Sequence, residues 1–268
     1  ENQEQAEKIE QELADAEYMI TKVKHGTRRK TPAPPFITST LQQEASRKLG
    51  FQSRRTMKVA QELYEGVDIE GMGATGLITY MRTDSLRISD VAKEEAAQYI
   101  LNRFGEKFLP AKPRVFKTKS NAQDGHEAIR PSMPSLSPED VKASLTSDQF
   151  KLYNLIWNRF MASQMSDCIQ KTTQAEISAK EYIFKASGYY VDFEGFTTLY
   201  VESKDTEEEK STQLPPLEKD MPVKCKELKK NQHFTQPPAR YTEASLTKAL
   251  EEYGIGRPST YEATITTI

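Results

Sequence analysis

The 268-residue sequence has few of the residues that build disulfide frameworks or zinc sites. Its two cysteines, Cys168 and Cys225, lie far apart without a Cys-x-x-Cys spacing, and it has three histidines. This pattern favours free thiols in a reducing compartment over paired or metal-bound cysteines. The sequence also lacks an apolar run near the ~20 residues that a membrane span requires. We therefore expect a cytoplasmic protein with no membrane segment and no structural zinc.

An excess of one sign of charge is also absent. The chain has 37 Lys and Arg against 39 Asp and Glu, for a formal net charge of -2. This excludes a uniformly basic surface but leaves a local basic groove possible, so a nucleic-acid role must be argued from particular residues. Because the sequence does not begin with Met and ends at Ile268 inside a predicted helix, we expect it to be part of a longer protein.

The hydrophobic period changes along the chain. Spacings of three and four predict helices, whereas a period of two from about Thr172 predicts strands separated by turns too short for anything but antiparallel pairing. Proline-rich stretches at 31–35 and 237–238 predict boundaries. The predicted helices are 1–20, 38–49, 54–64, a helix starting at Ser89 or Asp90 and ending at Phe104, one starting at 137–140, 148–165 and 243–253. The predicted strands are 17–24, ending before His25–Lys30, then 77–80, 174–178, 182–186, 189–193, 196–201 and one within 221–233.

The stretch from Gly76 to Ser85 carries the residues best suited to chemistry. A predicted strand ends at Tyr80, and Arg82, Asp84 and two hydroxyls follow within five positions. A phenol is a poor nucleophile at its free pKa of about 10, so it needs a nearby positive charge to favour phenolate and to offset a phosphate. Arg82 could supply that charge. With twelve tyrosines in the chain, a structural Tyr80 that closes a core is the alternative.

Two further segments have residues that suit phosphate. In Gln123–Pro131, Gly125 and Pro131 bound a short piece that presents His126 and Arg130 four residues apart. His126 could hydrogen-bond a phosphate oxygen, relay a proton or hold structure, while Arg130 could pair with phosphate or with a nearby acid. The turn at 256–260 precedes a predicted helix, where backbone N–H groups suit an anion.

Five motifs together resemble the type IA DNA topoisomerases, in the bacterial topoisomerase I branch. The order of the motifs agrees with that family from about residue 30 onward. They are Pro35–Gln43 (PFITSTLQQ), Ile78–Ser85 (ITYMRTDS), His126–Pro131 (HEAIRP), Gln236–Arg240 (QPPAR) and Gly254–Tyr261 (GIGRPSTY).

The resemblance implies roles for individual residues. Tyr80 would attack a phosphodiester of one DNA strand and become linked to the 5′ phosphate, with Arg82 stabilising phenolate and phosphate and His126 contacting the scissile phosphate. Binding or supporting positions would be Thr83, Asp84, Ser85, Arg130, Arg257, Ser259 and Thr260. The substrates would be single-stranded and negatively supercoiled DNA, bound by a monomer near the nucleoid. Because the phosphotyrosine conserves the bond energy, no ATP is expected, and no Gly-rich ATP motif occurs.

The resemblance also implies a mixed α and β, multi-domain fold, in which a helical domain is inserted into a β-rich arch of a torus. The insertion agrees with the hydrophobic periods. The expected domains are a discontinuous arch at 1–40 and 167–240, a mainly helical domain at 41–166 that carries Tyr80, and the start of a helical DNA-binding domain at 241–268.

One family feature is missing from the sequence. Type IA enzymes hold Mg²⁺ with clustered acids in an amino-terminal domain, and the run Glu207–Glu209, which Lys210 follows, does not resemble that cluster. We therefore expect Mg²⁺ to bind the full-length enzyme outside this chain, and we predict that 1–268 alone cannot complete cleavage and religation.

Other readings of the motifs remain open. The chain could be a non-catalytic clamp for single-stranded DNA in which Tyr80 only stacks on a base. It could also come from a topoisomerase III-type decatenase or a reverse gyrase. Met81 favours topoisomerase I, since the other branches more often have Pro at that position.

Overall fold

The computed structural model describes residues 2–117, 125–203 and 213–268. The first two residues of the Gln123–Pro131 motif and the acidic run Glu207–Glu209 lie outside these residues. The chain forms two compact units, and the fold contains both helices and sheets. One unit comprises Glu1–Lys30, Cys168–Phe193 and Glu208–Ala239, and the other comprises Thr31–Asp167, Glu194–Glu207 and Arg240–Ile268. The predicted domain bounds at 40, 166 and 240 stay a prediction.

A four-stranded antiparallel sheet dominates the first unit. Its strands are β1 (Tyr18–Lys30), β4 (Cys168–Ala179), β5 (Tyr182–Phe193) and β6 (Pro222–Val223), and helix α1 (Gln3–Leu13) precedes them. The strands lie in the order β5-β4-β1-β6, and β1 pairs with β4 from Met19–Ser178 to Lys30–Cys168. The predicted antiparallel pairing is confirmed.

Three strand predictions in this unit are wrong in extent. His25–Lys30 continues β1, because each of these residues pairs with a residue of β4. This pairing cannot be predicted from the local composition of His25–Lys30. Gly188 lies inside β5 opposite Thr173, so the two predicted strands 182–186 and 189–193 are one. Of 221–233, only Pro222–Val223 is a strand. Helix α1 ends at Leu13, well before residue 20, because the backbone becomes extended at Tyr18.

The second unit is mainly helical. Its helices are α2 (Thr38–Leu49), α3 (Ser53–Glu65), α4 (Asp90–Phe104), α5 (Pro138–Val141), α6 (Ser147–Ser163), α7 (Glu243–Glu252) and α8 (Tyr261–Thr267). The predicted start of α4 is confirmed, since the Ser89 side chain accepts a hydrogen bond from the N–H of Ala92. Fully buried Phe36, Leu41, Tyr153 and Phe160 form its core.

Two local structures in this unit differ from prediction. The glycine-rich segment after α3 is a hairpin of β2 (Val67–Ile69) and β3 (Gly73–Thr75), not a plain loop. The predicted strand at 196–201 begins instead as a 3-10 turn at Gly195–Thr198. Gly195 has φ 53°, and a Cβ there would lie 2.4 Å from the carbonyl oxygen of Asp167, so only glycine fits. Among the described helices, none is both long and apolar enough to cross a bilayer.

Candidate active site

Two extended segments from distant parts of the sequence hold Tyr80 in place. Ile78 forms a single β-bridge with Pro131, so the predicted strand 77–80 is present only as this bridge. The hydroxyl of Thr79 donates to the carbonyl of Ala128 at 2.6 Å and accepts from the N–H of Arg130 at 3.0 Å. The segment that ends at Tyr80 is therefore fixed to the segment that follows His126.

Burial alternates along the residues after Tyr80. Met81, Thr83 and Ser85 are buried, while Tyr80 is exposed and the intervening residues Arg82 and Asp84 are half-buried. The backbone bends at Met81 and Arg82. The hydroxyls of Thr83 and Ser85 are directed inward, where they accept the N–H groups of Ser85 and Arg87 at 3.0 Å and 3.2 Å.

Thr38, the first residue of α2, holds the backbone on both sides of Arg82. Its hydroxyl donates to the carbonyl of Met81 at 2.7 Å and accepts from the N–H of Thr83 at 2.9 Å. Its own N–H donates to the carbonyl of Thr83 at 3.0 Å. Thr38 is completely buried, so water cannot replace these bonds. The sequence motif that contains Thr38 is thus connected directly to the motif that contains Tyr80.

Tyr80 is 42% exposed and lies between two other rings. The Tyr64 ring, at the end of α3, is 5.3 Å away between centroids, and the His126 ring is 6.4 Å away, both tilted edge-on. Among the described residues, none hydrogen-bonds the Tyr80 hydroxyl. The structure therefore brings the predicted tyrosine and histidine together and leaves the phenol accessible. Tyr64 is a neighbour that sequence reasoning missed.

Arg87 hydrogen-bonds the backbone at His126. Its guanidinium donates to the carbonyls of His126 at 3.3 Å and Gly125 at 3.1 Å, and lies 3.7 Å from the Glu127 carboxylate. Sequence reasoning missed Arg87 as well. The only sequence signal for it is a cation two residues after the Thr-Asp-Ser run.

The guanidinium of Arg130 is engaged by the protein itself. It is 8% exposed, donates to Glu127 at 3.0 Å and 2.6 Å and to the Pro131 carbonyl at 2.8 Å, and reaches the Ser89 hydroxyl at 3.2 Å. Of the two partners considered from the sequence, phosphate or an acid, the structure shows the acid. Arg130 thereby shapes the backbone after His126 and ties it to the start of α4.

The turn at 256–260 lies against Arg82. The N–H of Arg257 donates to the Thr260 hydroxyl at 2.9 Å, which closes the turn before α8. Gly256 has φ 81°, a conformation that favours glycine. The Arg82 guanidinium donates to the carbonyl of Ser259 at 3.4 Å. Arg82 therefore contacts the turn at 256–260. The side chain of Arg257, in the same turn, is exposed.

The described residues do not provide a divalent-cation site. Within 2–117, 125–203 and 213–268, no three His, Cys, Asp or Glu side chains are grouped closely enough to hold a metal ion. These described residues therefore do not fit a resident Mg²⁺.

Comparison with known proteins gives two findings. A family model described as DNA topoisomerase matches residues 1–268. A solved structure of full-length topoisomerase I from Thermotoga maritima is similar at 39% sequence identity with a TM-score of 0.80, over 100% of this chain and 42% of that one. The chain thus spans about two fifths of the length of that protein.

Proposed function

The chain belongs to the type IA DNA topoisomerase family, and on that premise we propose that it is the tyrosine-bearing part of an enzyme that cleaves one DNA strand, passes a strand and reseals the break. The enzyme relaxes negative supercoils without ATP. The observation that carries this proposal is an accessible Tyr80 phenol beside His126, on a segment that hydrogen bonds of Thr38 and Thr79 hold and that has Arg82 two residues on.

The proposed reaction is a reversible transesterification. The Tyr80 oxygen attacks phosphorus, the bond from phosphorus to the 3′ oxygen breaks, and the proton lost by the phenol is balanced by the one gained by the departing 3′ hydroxyl. The 5′ phosphate remains on Tyr80 until the 3′ hydroxyl attacks it in reverse. Because the ester bond energy is kept in the phosphotyrosine, resealing needs no nucleotide.

The surrounding residues position and neutralise the phosphate in this proposal. His126 donates to a non-bridging oxygen, and Arg82 offsets the charge that builds up in the transition state. Arg130 and the Thr83 and Ser85 hydroxyls support this geometry from within. Asp84, Arg257, Ser259 and Thr260 border the DNA path. Their contact with DNA is a prediction from the family pattern.

Several features of the whole enzyme belong to the same proposal. Mg²⁺ binds acids outside residues 1–268, and the enzyme acts as a monomer on single-stranded segments of negatively supercoiled DNA in the cytoplasm, close to the nucleoid. The chain 1–268 by itself does not relax plasmid DNA. Relaxation by the purified chain with Mg²⁺ would contradict that statement.

The decisive experiment measures covalent adducts between the full-length polypeptide and 5′-labelled and 3′-labelled single-stranded DNA after denaturation. Tyr80→Phe is expected to abolish the adduct while DNA binding persists. In the unchanged protein, the strand segment that lies 3′ of the break should remain attached, since its 5′ phosphate is linked to tyrosine.

Tyr64→Phe is the matched control, because it removes a phenol 5.3 Å from the Tyr80 ring and keeps its own ring. We expect it to retain adduct formation. Persistence of the adduct in Tyr80→Phe would overturn the catalytic assignment. Absence of any adduct in the unchanged protein, together with tight binding, would instead support a non-catalytic clamp.

A further inference from the structure

Charge is strongly segregated within the sheet-containing unit. Strand β1, Tyr18–Lys30, has five cations and no acid: Lys22, Lys24, Arg28, Arg29 and Lys30. Helix α1 has four acids and one lysine in eleven residues. A chain with a net charge of -2 thus concentrates positive charge on one strand. Such concentration attracts polyanions even when the protein as a whole is slightly acidic.

The strand register places part of this charge on one face with an aromatic ring. Lys24 pairs with Gln174 of β4, and four residues along, Arg28 pairs with Gln170. Residues that pair directly across strands share a face, as do residues two apart along a strand. Continuing through β4 to β5 adds Tyr189, opposite Thr172, and Lys185, opposite Glu176. We call Lys24, Arg28, Lys185 and Tyr189 the ribbon face.

The ribbon face is ordered and holds unneutralised charge. The Arg28 Nε donates to the Gln170 side chain at 2.8 Å, and the guanidinium carbon lies 4.8 Å from the centroid of the Tyr189 ring. Lys22, on the same side, is neutralised by Glu176 at 3.3 Å. Among the described residues, no acid forms an ion pair with Lys24, Arg28 or Lys185, and all three are exposed.

We propose that the ribbon face binds the phosphate backbone of single-stranded DNA, as a site separate from the residues around Tyr80. Same-side residues on a strand recur about every 7 Å, so Lys24 and Arg28 lie well apart along β1, and Lys185 lies two strands away on β5. An extended polyanion fits cations spread over a face in this way better than a single small anion does. An arginine lying over a tyrosine ring is a pairing that suits nucleotides, because bases stack on both groups.

This proposal rests on the proposed function for its choice of DNA as the polyanion. The site requires no base recognition, since lysine and arginine contact phosphates without reading sequence. We therefore expect equal binding of oligonucleotides that differ in sequence but not in length.

The test uses the full-length polypeptide and a fluorescently labelled oligothymidylate, with anisotropy measured over a range of salt concentrations. In the triple variant Lys24→Gln, Arg28→Gln, Lys185→Gln, we expect the slope of log K against log salt to shrink by about 2, since each phosphate contact on a single strand contributes about 0.7. Affinity at 0.1 M salt should fall at least about 10-fold. Circular dichroism checks that the sheet remains folded.

The matched control is Lys142→Gln, Lys151→Gln, Lys226→Gln, which removes the same charge from exposed positions off the ribbon. We expect its slope to change by less than half as much. Equal slopes for the two triple variants would overturn the proposal. So would an unchanged slope in the ribbon variant, a result that would leave an acidic protein surface as the occupant to test.

Failure of this proposal can be told apart from failure of the proposed function. At saturating DNA, the ribbon variant should still form the covalent adduct at Tyr80, and Tyr80→Phe should keep the full salt slope. A ribbon-dependent slope without any adduct would support the binding site and reject the catalytic role. An adduct, together with a salt slope that is the same in the unchanged protein and the ribbon variant, would support the catalytic role and reject the binding site.

Discussion

Tyr80 and Tyr200 carry the same phenol in opposite surroundings. Tyr80 is 42% exposed, whereas Tyr200 is 6% exposed. The Tyr200 hydroxyl donates to the Glu44 carboxylate and accepts from Arg159 at 3.3 Å. Burial raises the pKa of Tyr200 above its usual value and the Glu44 carboxylate raises it further, against an opposing effect of Arg159. A phenol held in this way is a poor candidate for a nucleophile.

Tyr153 shows that Tyr200 is not an isolated case. Its hydroxyl donates to the Leu136 carbonyl at 2.7 Å, and burial raises its pKa, with a smaller contribution from Asp140. Both of these buried tyrosines have their hydroxyls satisfied by the protein, while none of the described residues hydrogen-bonds that of Tyr80. Accessibility and neighbours, rather than residue type, therefore distinguish the candidate nucleophile from structural tyrosines.

The largest expected effect comes from Arg159, the cation of the Tyr200 cluster. It is 2% exposed, donates to the Pro34 carbonyl at 2.6 Å and to Glu202 at 3.0 Å, and lies over the Phe36 ring. Arg159→Met removes a buried cation that also donates to the buried Tyr200 hydroxyl, so we expect the free energy of unfolding to fall by about 3 kcal/mol. Urea unfolding followed by circular dichroism measures it.

Arg55→Met is the matched control for Arg159. Arg55 also pairs with an acid, donating two hydrogen bonds of 2.8 Å to Asp148, but its side chain is 52% exposed. Its loss should cost no more than about 1 kcal/mol. Equal costs for the two variants would show that burial does not make the Arg159 contacts more stabilising than the exposed Arg55 pair.

The next largest effect is expected at Thr38, which hydrogen-bonds the backbone that follows Tyr80. Thr38→Val keeps the shape of the side chain and removes the hydroxyl bonds to Met81 and Thr83. We expect a loss of about 2 kcal/mol in the free energy of unfolding and slower adduct formation by the full-length polypeptide, by about 100-fold if Arg82 shifts by 1 Å.

Thr38→Ser separates positioning from simple destabilisation, since it restores the hydroxyl without the methyl group. It should recover most of the adduct rate. A slow rate in Thr38→Ser at full stability, or a normal rate in Thr38→Val, would reject the positioning role.

How much could be predicted from the sequence depends on how local each cause is. The start of α4 was predictable because the Ser89 cap acts on Ala92, three residues on. The continuation of β1 through Lys30 was not, because its partner Cys168 is far away in sequence. The hydrogen bonds of Thr38 could not be predicted for the same reason, since its partners Met81 and Thr83 are 43 and 45 residues away in sequence.

The candidate site divides in the same way. Tyr80, Arg82 and His126 could be named from residue chemistry and motif resemblance, and the structure brings Tyr80 and His126 together. Tyr64 and Arg87 could not, because nothing in their local sequence indicates the rings or carbonyls they meet. The catalytic roles of Tyr80, Arg82 and His126 stay predictions until adducts are measured.

A smaller effect compares the two phenols directly. Tyr200→Phe removes the hydroxyl that donates to buried Glu44, so we expect a cost of about 1–2 kcal/mol in the free energy of unfolding. Tyr80→Phe should change it by less than about 0.5 kcal/mol, because no described residue bonds its hydroxyl and exposed positions contribute little. The two unfolding curves decide this, and a costly Tyr80→Phe would assign Tyr80 a structural role.

The smallest effect is a dependence on alkaline pH. A phenol whose pKa is raised by folding contributes stability that is complete below the unfolded value of about 10 and is lost as pH rises through the folded value. Tyr200 and Tyr153 both have raised pKa values. Above pH 10 we therefore expect each to lower the free energy of unfolding by about 1 kcal/mol per pH unit. Tyr200→Phe should remove one of these two contributions and flatten the slope between pH 10 and 11, which urea unfolding at each pH measures. Parallel slopes for the unchanged protein and Tyr200→Phe would mean that the Tyr200 phenol ionises in the folded state as readily as in the unfolded one, which would contradict the raised pKa of Tyr200.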